Sequence, residues 1–250
     1  MKNNKLTKSS ETERIAKKLS RAGVCSRREA ERWIADGRIK VNNVILSTPA
    51  INVSEKDKIL VDNIPLPKPS LTKIWRFHKP KGCLVTENDP KGRKTIFQIL
   101  PKSLPRVISV GRLDYDSEGL LLLTNDGAIS RKLELPSTGW LRKYKVRVHG
   151  IVDKSALLKI KDGIKLDNFK TGPIEASLEI QKGTNAWILI GIREGKNREI
   201  RRIMDHLGYP VNRLIRLSYG PFQLGNLKSG EVSEINKNVI KNQLGLMHKI

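Results

Sequence analysis

Between Asn63 and Lys73 the chain reads NIPLPKPSLTK, with prolines at 65, 67 and 69 and no helical or strand periodicity. Proline fixes φ, removes a backbone donor and pushes the preceding residue into extended geometry. Such a run reads as a semi-rigid linker, residues 63–73. It divides the chain into a front unit, residues 12–62, and a larger unit, residues 74–234. Residues 1–11 are polar and expected to be disordered, and residues 235–250 form a polar tail.

The front unit opens with Ile15, Ala16, Leu19 and Ala22 at helical spacing, stopped by Gly23. Ser26 and Glu29 make a capping box for a second helix whose apolar face carries Ala30, Trp33 and Ile34, and Gly37 ends it. Ile39, Val41, Val44 and Ile45 flank Asn42-Asn43, a hairpin signal, and Asp57–Val61 reads as a returning strand. The unit is therefore helix, helix, then a small curl of strands.

Its charge is concentrated. Lys17, Lys18 and Arg21 follow the first helix, Arg27, Arg28 and Arg32 the second, with Arg38 and Lys40 beyond the turn. Across the chain 48 Lys and Arg oppose 25 Asp and Glu, a net charge of +23. An imbalance of that size repels itself, and a polyanionic partner is its simplest reason. Nucleic acid fits better than membrane, because no apolar run reaches the roughly 18 residues of a spanning helix. A solvated helix surface is the plain alternative for such a charge run. A helix-turn-helix for DNA is weakened by the hairpin that follows the second helix at once.

The start, MKNNKLTKSSETER, lacks the apolar stretch of a signal peptide. Cys25 and Cys83 lie far apart with no CxxC, which suits a reducing cytoplasm and excludes a disulfide scaffold. Aromatic residues are 5%, too few for recognition by many stacking platforms.

In the larger unit Ile74–Phe77, Tyr144–Val148, Glu175–Ile180 and Trp187–Ile192 read as strands, Ser155–Ile160 and Ile200–Leu207 as helices. Leu120–Leu123 is a buried strand or a short helix. The class is α+β, with a mixed, mainly antiparallel sheet flanked by helices.

Three stretches carry candidate chemistry. In GRLDYDSEGLLLLTNDG, Gly111–Gly127, the acids Asp114, Asp116 and Glu118 crowd alternate positions before four leucines. A calcium loop is rejected: its twelfth place holds Asn125 instead of a bidentate Glu, and leucines cannot solvate an ion. An acidic turn entering a buried strand is the plain reading. A carboxylate on a nucleic-acid surface is repelled by phosphate, however, so a binder has little use for one, whereas an enzyme uses it as nucleophile or base. In Arg193–Gly220, Ile200, Ile203, Met204 and Leu207 form a helical stripe. Gly195 and Asn197 precede it, leaving helix-start amides to meet phosphate, beside Arg198, Arg201 and Arg202. In KYKVRVHG, Tyr144, Val146 and Val148 share one strand face. There is no GxxxxGK[ST], GxGxxG or HExxH, and the four histidines are too scattered for ligand spacing, so neither cofactor nor metal is implied.

Taken in order, these stretches resemble the RsuA/RluB-type ribosomal RNA pseudouridine synthases over about residues 12–234. AKKLSRAGVCSRREAERWIADGRIKVN resembles the RNA-binding domain of ribosomal small-subunit protein four, and NDPKGRKTIFQILP is nearer the large-subunit (RluB) branch. The resemblance implies a catalytic Asp114 acting on the ribose or the uracil ring, or assisting in proton removal. It implies Arg201 as the partner that orients Asp114 and keeps it ionised, Tyr144 as a base-stacking side chain, Ile200 as an apolar wall, and Arg112 near the flipped nucleotide. RNA contacts are expected from Lys17, Lys18, Arg21, Arg27, Arg28, Arg32, Arg38, Asn197, Arg198 and Arg202. Ribosomal RNA is the implied partner, the chain a cytoplasmic monomer without cofactor. The competing expectation is a non-catalytic RNA-binding or ribosome-assembly factor.

Overall fold

A computed structural model describes residues 12–166 and 169–245, so the polar start, residues 1–11, lies outside the described residues. The chain divides into two compact units, Met1–Leu71 and Thr72–Ile250.

In the first unit β1 (Glu13–Arg14) leads directly into α1 (Ile15–Arg21), and Gly23 supplies the left-handed stop at φ +82°. Helix α2 (Arg27–Ala35) begins with the expected reciprocal cap. Glu29 N–H donates to Ser26 Oγ at 3.1 Å, and Ser26 N–H to Glu29 Oε2 at 3.3 Å. Strands β2 (Ile39–Val41) and β3 (Val44–Ile45) turn on Asn42 and Asn43, both at positive φ, as a type I′ hairpin requires. After β4 (Asn52–Val53), which pairs with β1, come β5 (Ile59–Val61) and β6 (Ile64–Pro65), joined by Asp62 and Asn63 in the same left-handed geometry. The unit therefore runs past Asp62. Ile64 and Pro65, read as linker, belong to the four-stranded sheet β3-β2-β5-β6, where a proline is tolerated because β6 is an edge. Ile15, Leu19, Ile34, Ile39, Val53 and Ile59 fill the core.

The second unit begins with β7 (Ile74–Lys79), β8 (Ile108–Val110), β9 (Ser117–Thr124) and α3 (Gly127–Glu134). Then come β10 (Arg142–His149), α4 (Lys154–Lys159), β11 (Lys165–Leu166) and β12 (Phe169–Lys170). The chain continues with β13 (Ile174–Lys182), β14 (Asn185–Ile192), α5 (Glu199–His206) and β15 (Val211–Tyr219). It closes with β16 (Phe222–Gln223), β17 (Val232–Glu234) and α6 (Lys237–Leu244).

Among the described residues one nine-stranded sheet follows the order β13-β14-β10-β15-β9-β7-β17, with β16 on β15 and β8 on β9. All its pairings are antiparallel except β9 with β15. The four leucines form the strand β9, whose residues are all buried. Leu121 and Leu123 enter one core and Leu120 and Leu122 another, so the uninterrupted run is what a strand covered on both faces requires. The stretch read as a polar tail contributes to that second core. Ile235, Ile240 and Leu244 are buried in it, with Asn236 capping α6.

Candidate active site

A cavity of about 550 Å³ opens where the β8–β9 loop, β10, β15 and the start of α5 meet. The loop brings Arg112 and Asp114, β10 brings Arg142 and Tyr144, and the α5 side brings Asn197, Arg198 and Ile200. Strand alternation explains Tyr144: it shares the face of Val146 and Val148, and as the first of the three it ends at the cavity wall.

The Asp114 loop is fixed through its backbone. Lys79 is fully buried, and its ammonium donates to the carbonyls of Asp114 at 3.0 Å and Ser117 at 2.9 Å. Gly82 N–H donates to Tyr115 O at 2.9 Å, and Arg201 Nη2 to Asp116 O at 3.1 Å. Four successive carbonyls are thus held by donors from outside the loop, while the half-buried Asp114 side chain lines the cavity. Burial pushes the Lys79 ammonium below its ordinary range, against nearby negative groups that include Asp114.

Arg201 departs from the expectation of a direct carboxylate partner. Its guanidinium donates to the backbone carbonyls of Asp116 and Val211, each at 3.1 Å. Burial and then Arg198 lower its pKa, while Asp116 and Asp114 act to keep it charged. The guanidinium thus meets the Asp114 loop at a backbone carbonyl and not at the Asp114 carboxylate. Ile200 is buried against the cavity, Arg112, Asn197 and Arg198 are exposed at its rim, and Arg202 lies off the lining.

Of the three acids at the turn, only Asp114 lines the cavity. Glu118 is taken by Arg213 in a two-pronged pair at 2.8 and 2.9 Å, which holds its carboxyl below the usual range despite burial. Asp116 lies 4.0 Å from Arg198.

The sequence pattern does not mark Lys79, Arg142 or Arg216 as site residues. Arg142 donates to Tyr219 Oη at 3.0 Å and lies over its ring, and Arg216 approaches the same ring. Alternation along β15 places Leu214 and Arg216 on the cavity face, which is a readable signal. The partners that make Lys79 matter come from 35 residues away and are not.

In the front unit the expected RNA contacts separate into two groups. Lys18 is buried and pairs with Glu55, Arg21 pairs with Glu13 and Glu55, and Arg38 pairs with Asp62 while lying over Trp33. These side chains hold the unit together, and Lys18 in particular offers little surface beyond its pair with Glu55. Lys17 carries an i,i+4 pair with Glu13 at 3.5 Å. Arg27, Arg28 and Arg32 are exposed along α2.

Comparison with known proteins adds the following. Residues 73–206 match the model of the RNA pseudouridylate synthase family, and residues 13–59 match the S4 domain. An uncharacterised RNA pseudouridine synthase of Rickettsia bellii is 44% identical over 92% of this chain and 99% of its own length. The ribosomal large subunit pseudouridine synthase B of Bacillus subtilis is 36% identical over 92% of this chain and 94% of its own. A pseudouridylate synthase crystal structure superposes with a TM-score of 0.63 at 28% identity, covering 91% of this chain and 98% of the other.

Proposed function

Because the chain belongs to the RNA pseudouridylate synthase family and is an isomerase acting on RNA, we propose that Asp114 acts on a uridine swung out of ribosomal RNA into the 550 Å³ cavity. The observation that carries this reading is the convergence of Asp114, Tyr144 and Ile200 on that one cavity.

Pseudouridine formation breaks the bond between ribose C1′ and uracil N1, turns the base, and joins C1′ to C5. The C5 proton is lost and N1 ends protonated, so no atoms are gained or lost. Extruding the nucleotide costs a few kcal/mol, which phosphate contacts must offset. Tyr144 offers its ring to the base, Ile200 walls the apolar side, and Arg112 and Arg198 stand at the rim where the RNA backbone passes. Arg201 and Lys79 keep the carboxylate-bearing loop in place. In the S4 unit the exposed Arg27, Arg28 and Arg32 contact phosphates, so affinity falls steeply as salt rises.

The substrate we assign is large-subunit ribosomal RNA, recognised by a monomer in the cytoplasm. The likeness to the Bacillus subtilis protein and the stretch Asn88–Pro101 support that branch. Mapping pseudouridines in total RNA from cells with and without the gene tests it. A mark lost from large-subunit RNA is expected, and one lost only from small-subunit RNA overturns the assignment.

A further inference from the structure

Glu199 is the first residue of α5, directly before Ile200 and Arg201, and is only 3% exposed. Its Oε2 accepts the backbone N–H of Lys196 at 3.0 Å, while its Oε1 is buried with no hydrogen-bond partner among the described residues. A second acid, Glu194, engages the same residue, Lys196, and is the side chain that bears most on that carboxyl. Glu194 is itself anchored: Oε1 accepts Gly172 N–H at 2.6 Å, and Oε2 pairs with the Lys196 ammonium at 2.8 Å. Two carboxylates gathered on one lysine, one of them buried with an unpartnered oxygen, resist being charged together, and a single proton between them turns repulsion into a charge-assisted hydrogen bond.

We propose that Glu194 and Glu199 share one proton, and that the resulting carboxyl–carboxylate bond is a positioning device. It ties the loop 193–198 to the first turn of α5 and so sets Ile200 and Arg201 for the reaction assigned above, on which the proposal rests.

The surroundings agree. Burial, and next Glu194, push the Glu199 carboxyl up to about 7. Burial also opposes ionisation of Glu194, but hydrogen bonds from Glu199, Lys196 and Gly172 outweigh it and hold that group low. Among the described residues, Glu194 and Lys196 are the charged groups that bear most on Glu199. From neighbouring strands, Arg142 is engaged by Arg193 O and Tyr219 Oη, and Arg193 by Gly139 O and Glu175. Along α5, Arg198 approaches Asp116, and Arg201 is held by two carbonyls. The folded state binds the Glu199 proton more tightly than the unfolded chain, whose ordinary value is 4.5. Stability is therefore highest below that value and is lost as pH rises through about 7.

The test compares the full-length protein with Glu199→Gln, whose amide supplies a permanent donor toward Glu194 and an acceptor for Lys196 N–H. The substrate is an unmodified large-subunit ribosomal RNA transcript. The expected result is a wild-type kcat/KM about tenfold lower at pH 8 than at pH 6, and a variant profile that changes less than about twofold. The wild-type melting temperature should fall over the same range more than that of the variant. A flat wild-type profile overturns the proposal. So does a variant that keeps the decline, one that fails to fold, or one that melts normally yet is inactive throughout. If the wild type forms no pseudouridine in this or small-subunit RNA, the functional assignment fails, and the melting curves alone decide on the shared proton.

Discussion

The ammonium of Lys79 lies 3.0 Å from the main-chain carbonyl of Asp114, so the residue assigned to the chemistry is held by its backbone while its side chain stays turned to the cavity. A lysine is suited to this because one compact charge donates in several directions, here also to the carbonyls of Pro80 and Ser117.

Lys79→Met should therefore fold but lose the loop geometry. The carbonyls of Pro80, Asp114 and Ser117, and the more distant one of Tyr115, lose a charged donor, a cost of roughly 3–5 kcal/mol. Pseudouridine formation should drop at least about 100-fold under conditions where the melting curve shows the variant still native. Activity within twofold of wild type would show that the loop does not depend on Lys79.

Gly119 follows the same loop, and its position admits no side chain. It sits at φ +101°, and a Cβ there would lie 2.3 Å from Arg216 O and 2.6 Å from Arg216 N. Gly119→Ala strikes the register where the parallel strands β9 and β15 meet. A loss of at least about 3 kcal/mol is expected, read as a lowered urea midpoint. An unchanged midpoint would mean that the strands meet differently.

In the S4 unit, exposed and paired cations should behave differently. Arg28→Gln with Arg32→Gln should lower RNA affinity and reduce the slope of log affinity against log salt by about one for each phosphate that is no longer neutralised. Lys18→Gln should leave that slope unchanged, since Lys18 is occupied by Glu55. Filter binding across roughly 50 to 200 mM salt separates the two cases, and equal slopes for both would refute the division.

Much of this is legible in the sequence where the chemistry is local. The capping box at Ser26, the turn at Asn42-Asn43 and the buried leucine strand each follow from residues adjacent in the chain. The second left-handed turn at Asp62-Asn63 is hidden because the prolines beside it dominate the pattern. The burial of Lys18 has a usable signal: it lies three residues after Ile15 and so on the buried face of α1. Helix α6 escapes notice because its apolar anchors, Ile235, Ile240 and Leu244, are widely spaced in polar sequence. In the site, Asp114 stands out by its motif, whereas the contacts of Lys79 and Arg201 run to backbone carbonyls, which all residues share.

The most direct test is Asp114→Asn, assayed for pseudouridine in a ribosomal RNA transcript alongside the dissociation constant for the same RNA. Asparagine keeps the volume of the side chain and removes its charge, leaving the carbonyl clamp in place. The account predicts no product above background, with affinity within about threefold of wild type. A variant that still forms pseudouridine at a comparable rate would contradict it.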